Sequence, residues 1–416
     1  MPYTTRTGNE ALNIDLASPP GWTYVGGDTV IGNVVRRSHI VTPDAMVTIT
    51  LVGRVKTKIT VKRNNGQTTS TSHYRGRWEL FQTSRDTLFR GPLHLPPNSS
   101  DNPLTWSFSI DIPTRPSDQV LVGHCSEESY LPLDKEILAR STLPASFFAS
   151  HRGWRTSSEA FVEYYLEAHL RYSRSGSFDD EIATFPITIR PVPPAGGFNY
   201  ELQSRLLTGM AKSQRLLPGM EHAELSLKQK TQKLFGSSKV PEFRYTVEIS
   251  WPYAVQLDHL VPVPIIISVQ PDRTSPDISN VAQKVQLNWV SMTIKSLTNV
   301  RAPGNLTPTY THSDSHSYSH TIGLKNAFMR LKSPIVFTTG KGNEPINIGN
   351  MLGLFFHSDG TTVGGLRTTT YDGPSPDFIT YNIMNRNELQ LELSLTVAEE
   401  TKQFKISSGL TILPAV

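Results

Sequence analysis

Two stretches of strict alternation mark the chain. Val162, Tyr164, Leu166, Ala168 and Leu170 alternate with Glu163, Tyr165, Glu167 and His169, and Leu389, Leu391, Leu393, Leu395 and Val397 alternate with polar or acidic residues. A period of two sends successive side chains to opposite faces, so each run predicts a half-buried strand of an antiparallel sheet. Further strands are predicted at 30–35, 47–61, 187–192 and 106–112, the last with Trp106, Phe108, Ile110 and Ile112 on one face. The second half repeats the style with Phe243, Tyr245, Val247, Ile249 and Trp251, then 261–269 and 285–294. Helical periodicity is confined to 220–235, where Ala223, Leu227 and Leu234 fall near one face among lysines.

The pattern predicts an all-β chain of two tandem sandwiches with one short helix. At 416 residues the chain is too long for one ordinary core and suits two domains of roughly 200 residues. The segment RPVPPAGG at 190–197 marks the boundary, because proline cannot continue a ladder and paired glycines release the backbone. We therefore expect domains at 1–195 and 241–416, with a basic linker over 196–240. Polar, turn-rich residues 299–320 and 357–377 are expected to be long surface loops.

Charge narrows the function classes. Between 203 and 240, Arg205, Lys212, Arg215, Lys228, Lys230, Lys233 and Lys239 stand against Glu221 and Glu224, while the whole chain is only +4. The basicity thus belongs to one stretch, and with no zinc-finger, helix-turn-helix or aromatic-basic motif beside it, a nucleic-acid binder is not expected. One cysteine, Cys125, excludes an internal disulfide. The N-terminal residues lack the apolar core of a signal peptide, and the longest apolar stretch, 260–269, is about half the ~20 residues of a membrane span. A cytoplasmic protein without a transmembrane segment is expected, and the sequons at Asn98 and Asn305 are expected to be unglycosylated surface loops.

Four segments of the first half, YVGGDTVIGNVV at 24–35, MVTITLVGRVKT at 46–57, LTWSFSIDIPTRP at 104–116 and LPASFFASHRGWRTSSEAFVEYYLEAHL at 143–170, resemble the N-terminal domain of the arrestin family in order and spacing. FRYTVEISWPYAVQLDHLVPVPIIISV at 243–269 and ITYNIMNRNELQLELSLTVAEETKQFKISSGLTILP at 379–414 are similar to its C-terminal domain. The style is that of a fungal alpha-arrestin. The resemblance implies two immunoglobulin-like sandwiches and a non-enzymatic adaptor, needing no cofactor. It would dock on cytosolic tails of membrane transporters or receptors at the plasma membrane or endosomes, for endocytosis or ubiquitin-linked signalling. It also implies a HECT-type ubiquitin ligase as partner, direct or through another adaptor. By the same analogy Lys228, Lys230, Lys233 and Lys239 are ubiquitin acceptors. A retromer-like coat subunit, and in another class a β-sandwich carbohydrate-active protein, are the alternative readings.

Some residues depart from the family or suggest chemistry of their own. Alpha-arrestins engage WW domains through Pro-Pro-x-Tyr, whereas the nearest segment here, Thr307-Pro308-Thr309-Tyr310, offers one proline, so Pro308 and Tyr310 form a degenerate ligand. Arg54, Lys56, Lys58 and Lys62 share one strand parity, opposite to Val55, Ile59 and Val61; the row is a candidate site for acidic or phosphorylated tails. His312, His316 and His320 are spaced by four with Asp314 among them, a metal-ligand pattern on a helix, but their serine-rich setting predicts a loop and no metal site. His124 and Cys125 are sequence neighbours that do not converge as a nucleophile and base. Phe147 and Phe148, after Pro144 and Ser146, are expected to pack against the sandwich.

Overall fold

The computed structural model describes residues 3–415 apart from 65, 67, 84, 98–101, 175–176, 192–196, 235–238, 306–309, 340–343 and 370–373, and leaves the side chains of 230, 233, 234 and 369 undescribed. Strand accounts for 59% of the described residues and helix for 9%, which makes the fold all-β. The chain divides into two compact units. The first comprises Met1–Val192, Thr298–His316 and Phe378–Asn385; the second comprises Pro193–Leu297, Ser317–Asp377 and Arg386–Val416.

The first unit begins with β1 (Asn13–Leu16), β2 (Thr23–Tyr24), β3 (Thr29–Arg36), β4 (Ile40–Asn64), β5 (Thr69–Gln82), β6 (Asp86–Leu95) and β7 (Leu104–Asp111). Helix α1 (Lys135–Arg140) follows, then β8 (Phe147–Arg152), β9 (Thr156–Arg174) and β10 (Ser177–Ile189). A three-stranded sheet of order β1-β3-β7 faces a seven-stranded sheet of order β2-β10-β9-β4-β5, with β6 on β4 and β8 on β9. Ile14, Val30, Val34, Phe108 and Ile110 of the smaller sheet share one core with Val47, Ile49, Leu51, Val55, Val162 and Leu166 of the larger. These are the inward alternates of each strand, so removal of one apolar face per sheet from water holds the layers together. Gly32 sits opposite Leu16 and Phe108 in register. A Cβ there would meet the Asp15 carbonyl oxygen and the Phe108 ring, so the position takes only glycine without local rearrangement.

The second unit holds β11 (Leu202–Lys212), helix α2 (Leu227–Leu234), β12 (Glu242–Pro252), β13 (Ala254–Gln256) and β14 (Ile266–Thr274). Next come β15 (Lys284–Pro303), β16 (Thr311–Ile322), α3 (Leu324–Phe328), β17 (Ile335–Thr338), β18 (Ile346–Asn347) and α4 (Ile348–Met351). The chain closes with β19 (Phe355–His357), β20 (Gly360–Val363), β21 (Leu366–Thr369), β22 (Phe378–Ile379), β23 (Ile383–Val397) and β24 (Glu400–Leu413). A four-stranded sheet β11-β12-β14-β18 accompanies a seven-stranded sheet β13-β24-β23-β15-β16, with β17 on β15 and β22 on β23, and a small sheet β19-β20-β21. Tyr245, Val247 and Ile249 share a core with Leu389, Leu391, Leu393 and Leu395, the alternating run read from the sequence.

The two seven-stranded sheets repeat one neighbour pattern. Each runs from a short parallel strand (β2 or β13) to a hairpin pair (β10-β9 or β24-β23), then to one long strand (β4 or β15) and its partner (β5 or β16). The matched halves of the sequence are therefore matched in topology.

Several expectations are corrected. The stretch 196–240 is not a plain linker, because β11 pairs with β12 from Leu202↔Pro252 to Lys212↔Glu242. Leu202, Leu206 and Met210 stay exposed while Leu207 packs on the core and Ala211 enters it, so that strand rests largely on its backbone ladder and carries only a weak burial signature. The helix is shorter than 220–235. The strand expected at 261–269 starts at Ile266, since Pro262 and Pro264 cannot donate to a ladder. The loop expected at 299–320 is the end of β15 and most of β16, and that expected at 357–377 contains β20 and β21. Residues 298–316 and 378–385 belong to the first unit: Val300, Ala302, Tyr381 and Ile383 lie in its core, the Thr57 hydroxyl donates to the Arg301 carbonyl (2.5 Å), and the Tyr130 amide donates to the Tyr381 carbonyl (2.6 Å).

Candidate functional site

The cationic row on β4 keeps its predicted parity but is not an open charge row. On β9, Glu163 stands in register with Arg54. One of its oxygens accepts from Arg54 Nε (2.7 Å) and Lys56 Nζ (2.6 Å), and the other accepts from the Thr4 amide (2.8 Å). The Lys56 and Glu163 side chains are 4% and 1% exposed, which removes both from a tail arriving from solvent. Arg54 also donates to the Thr4 hydroxyl (3.0 Å) and lies over the Tyr165 ring. Burial raises the cost of the Glu163 charge, yet its donors Lys56, Thr4 and Arg54 outweigh it and hold the carboxyl below its usual range. Burial lowers the Lys56 ammonium, and repulsion from Arg54 and Arg77 works in the same direction against the attraction of Glu163. Lys58 Nζ lies 3.8 Å from Glu159. The polar alternates Glu159 and Glu163 of the neighbouring strand were the available signal for this neutralisation.

Lys62, at the end of the row, is exposed and has a different setting. With Arg63, Asn64, Gly66, Thr69, Trp154 and Arg155 it lines an open cleft of about 710 Å³. Two turns build this cleft. The Asn64 side chain accepts from the Gly66 amide (2.9 Å) as β4 ends, and the Gly153 amide donates to the Thr156 carbonyl (3.0 Å) between β8 and β9. A Cβ at Gly153 would collide with that Thr156 oxygen, so the tight turn requires glycine. The turn projects Trp154, 93% exposed, beside Arg155, whose carbonyl accepts from the Lys62 amide (2.8 Å). Three cations and an exposed indole meet here, and no carboxylate is among the described lining residues. Trp154 and Arg155 were missed by the sequence reading because strand parity says nothing about residues on a turn.

The histidines of β16 are placed differently from expectation. On a strand His312, Asp314, His316, Tyr318 and His320 share one parity. Within the first unit, His312 stacks on Tyr74 with ring centroids 3.4 Å apart, whereas Asp314 and His316 converge on His151 of β8. His320 lies in the second unit and is buried.

The remaining candidates are held structurally or lie outside the described residues. His124 Nδ1 is 3.2 Å from Glu128 and its ring stacks on Trp78. The Cys125 thiol donates to Glu128 (3.4 Å), and burial followed by its bonds to Glu127 and Glu128 pushes it up, the opposite of an activated thiolate. Phe147 packs edge-on against Phe378 (4.7 Å), while Phe148 is 60% exposed, contrary to its expected burial. Pro308 lies outside the described residues; Tyr310 is exposed. On α2, Lys228 is exposed and so is Leu227; the side chains of Lys230 and Lys233 are not described, and Lys239 beyond the helix is exposed.

No family model and no curated protein matches the chain. Among the described residues no helix is long and apolar enough to cross a membrane.

Proposed function

We propose that the chain is an arrestin-like adaptor, two immunoglobulin-like sandwiches without catalytic activity, that docks acidic or phosphorylated cytosolic tails of membrane proteins. The carrying observation is the cleft where Lys62, Arg63 and Arg155 surround the exposed Trp154 without a described carboxylate. Phosphate or carboxylate oxygens pair with such cations through charge-assisted hydrogen bonds, and the indole supplies apolar contact to a neighbouring residue of the tail. The contact site is thus shifted from the β4 row to its outer end, with Lys62 retained and Arg54 and Lys56 as a buried clamp. The repeated sheet pattern supports the tandem-sandwich reading, and ubiquitin-linked trafficking is the role we assign to such docking, with exposed Lys228 as an acceptor.

The expected result is that Lys62→Glu with Arg155→Glu weakens binding of a fluorescein-labelled phosphoserine peptide by about tenfold or more in anisotropy titrations. Wild-type affinity falls as salt rises from 50 to 300 mM, roughly as expected for exposed charges, whereas the double variant shows a flatter salt response. Trp154→Ala weakens the phosphorylated and Asp-substituted peptides alike. Equal affinity of wild type and the double variant for both peptides would remove the cleft as the docking site.

A further inference from the structure

We infer that His151, Asp314 and His316 form a zinc-binding site on the first unit. Each offers one ligand atom, and the three atoms lie within 4.8 Å of one another. His151 Nδ1 is 3.1 Å from Asp314 Oδ2. The two imidazole rings are near parallel, 11° apart with centroids at 5.1 Å. The Nδ1 atom of His316 is buried and has no hydrogen-bond partner among the described residues, so a polar atom that ordinarily finds a partner is left with an unused lone pair or proton.

The fold explains the convergence. Asp314 and His316 are two residues apart on β16 and therefore project from one face. His151 comes from β8, which pairs with β9 alone on its inner side and places His151 opposite Ser158. His312, on the same face of β16, is taken out of the set by its stack on Tyr74. The cluster is reachable, since His151 is about one-third exposed and lines a cleft of about 180 Å³ with Thr60, Ser150 and Glu159.

Ligand chemistry narrows the cation to a first-row divalent ion: the same two-histidine, one-carboxylate set also holds iron(II), and zinc is assigned because its filled d shell imposes no geometry on the ligands. Two imidazoles and one carboxylate suit zinc, which takes three protein ligands and keeps a fourth position for water or an incoming ligand. Calcium and magnesium call for an all-oxygen shell, and copper(I) for thiolate or thioether sulfur. Ligands bound about 2.0–2.1 Å from a tetrahedral zinc lie about 3.4 Å apart, so no pair here has to close by more than about 1.4 Å, within the reach of side-chain rotation at the partly exposed His151. Binding releases the proton between His151 Nδ1 and Asp314 to solvent, sets the cation in its place and engages a ring nitrogen of His316.

The test uses the full chain, dialysed against a chelator and titrated with cobalt(II) chloride and then zinc chloride. One equivalent of cobalt is expected to produce the visible d–d bands of a low-coordinate site, bleached by one equivalent of zinc. His151→Gln and His316→Ala are each expected to abolish the bands and to weaken zinc binding by at least about tenfold in competition with a chromogenic chelator, while His312→Ala leaves both unchanged. Because His316 is partly buried, His151→Gln and Asp314→Asn carry the conclusion if His316→Ala fails to fold, as judged by circular dichroism. Absence of a stoichiometric cobalt signal in wild type, or its survival in both His151→Gln and Asp314→Asn, would overturn the assignment.

Discussion

Glu163→Gln is expected to destabilise the first unit by about 3–5 kcal/mol, the cost of leaving a buried cation without its carboxylate. The Lys56 ammonium is nearly inaccessible and has Glu163 2.6 Å away, with Arg54 and Arg77 acting against its charge. A glutamine oxygen can still accept from both Arg54 and Lys56 but supplies no counter-charge, so both cations lose their anion, and the NH2 that replaces the other oxygen meets the Thr4 amide donor to donor. Adding Lys56→Met is expected to recover part of the loss, because the deepest cation is gone while Arg54, 15% exposed, can reach water. The acid limb follows from the same geometry. The folded-state pKa of Glu163 lies below its unfolded value of about 4.3, so its contribution is complete above that value and is lost as pH falls through the folded pKa. The variant therefore shows a shallower stability decline below about pH 4.5 than wild type. Hydrogen exchange along β4 and β9 reads this unit apart from the other; a single variant as protected as wild type, or a double variant weaker than the single, would refute the clamp.

This cluster also marks the limit of what the sequence displays. Parity placed Arg54, Lys56 and Lys58 on one face of β4 correctly, since a strand fixes which side a residue takes. It could not say what covers that side, because Glu163 arrives from a strand more than one hundred positions later and Thr4 from the N-terminal residues. The cores were legible for the same reason: the runs around 162–170 and 389–397 contain the apolar side chains that fill them. Strands whose alternates are not buried left no such trace. The β16 residues read as a loop because one face carries serines and the other histidines with Asp314 and Tyr318, so neither is an apolar face, and β11 because Leu202, Leu206 and Met210 remain in solvent. Once β16 is a strand, spacing by two rather than by four decides which ligands meet. That change brings Asp314 and His316 to His151 and leaves His320 elsewhere.

Trp78→Ala is expected to cost about 3–5 kcal/mol, the range for truncating a large buried aromatic side chain. Trp78 is fully buried on β5, opposite Val55 in register. Its indole stacks with His124 (3.6 Å, 14°) and Tyr381 (4.7 Å, 9°). Near-parallel stacks of this kind add about 0.5–1.5 kcal/mol to area burial, and here they tie two segments distant in sequence to one strand. The damage is therefore not confined to β5. Removing the indole releases the residues around His124 and those at 378–385, whose backbones meet where the Tyr130 amide donates to Tyr381. Trp78→Phe is expected to be milder than truncation volume alone suggests: a smaller ring still stacks, and the indole Nε1, buried without a hydrogen-bond partner among the described residues, is removed with its desolvation cost. Hydrogen exchange measured by mass spectrometry separates these effects, with Trp78→Ala speeding exchange at 124–130 and 378–385 together and Trp78→Phe affecting them little. If peptides covering 378–385 exchange at the wild-type rate in Trp78→Ala, the stack does not hold that segment, and the Thr57 hydroxyl, which accepts from the Asn382 side chain (3.0 Å) and donates to the Arg301 carbonyl (2.5 Å), holds it to β4 instead.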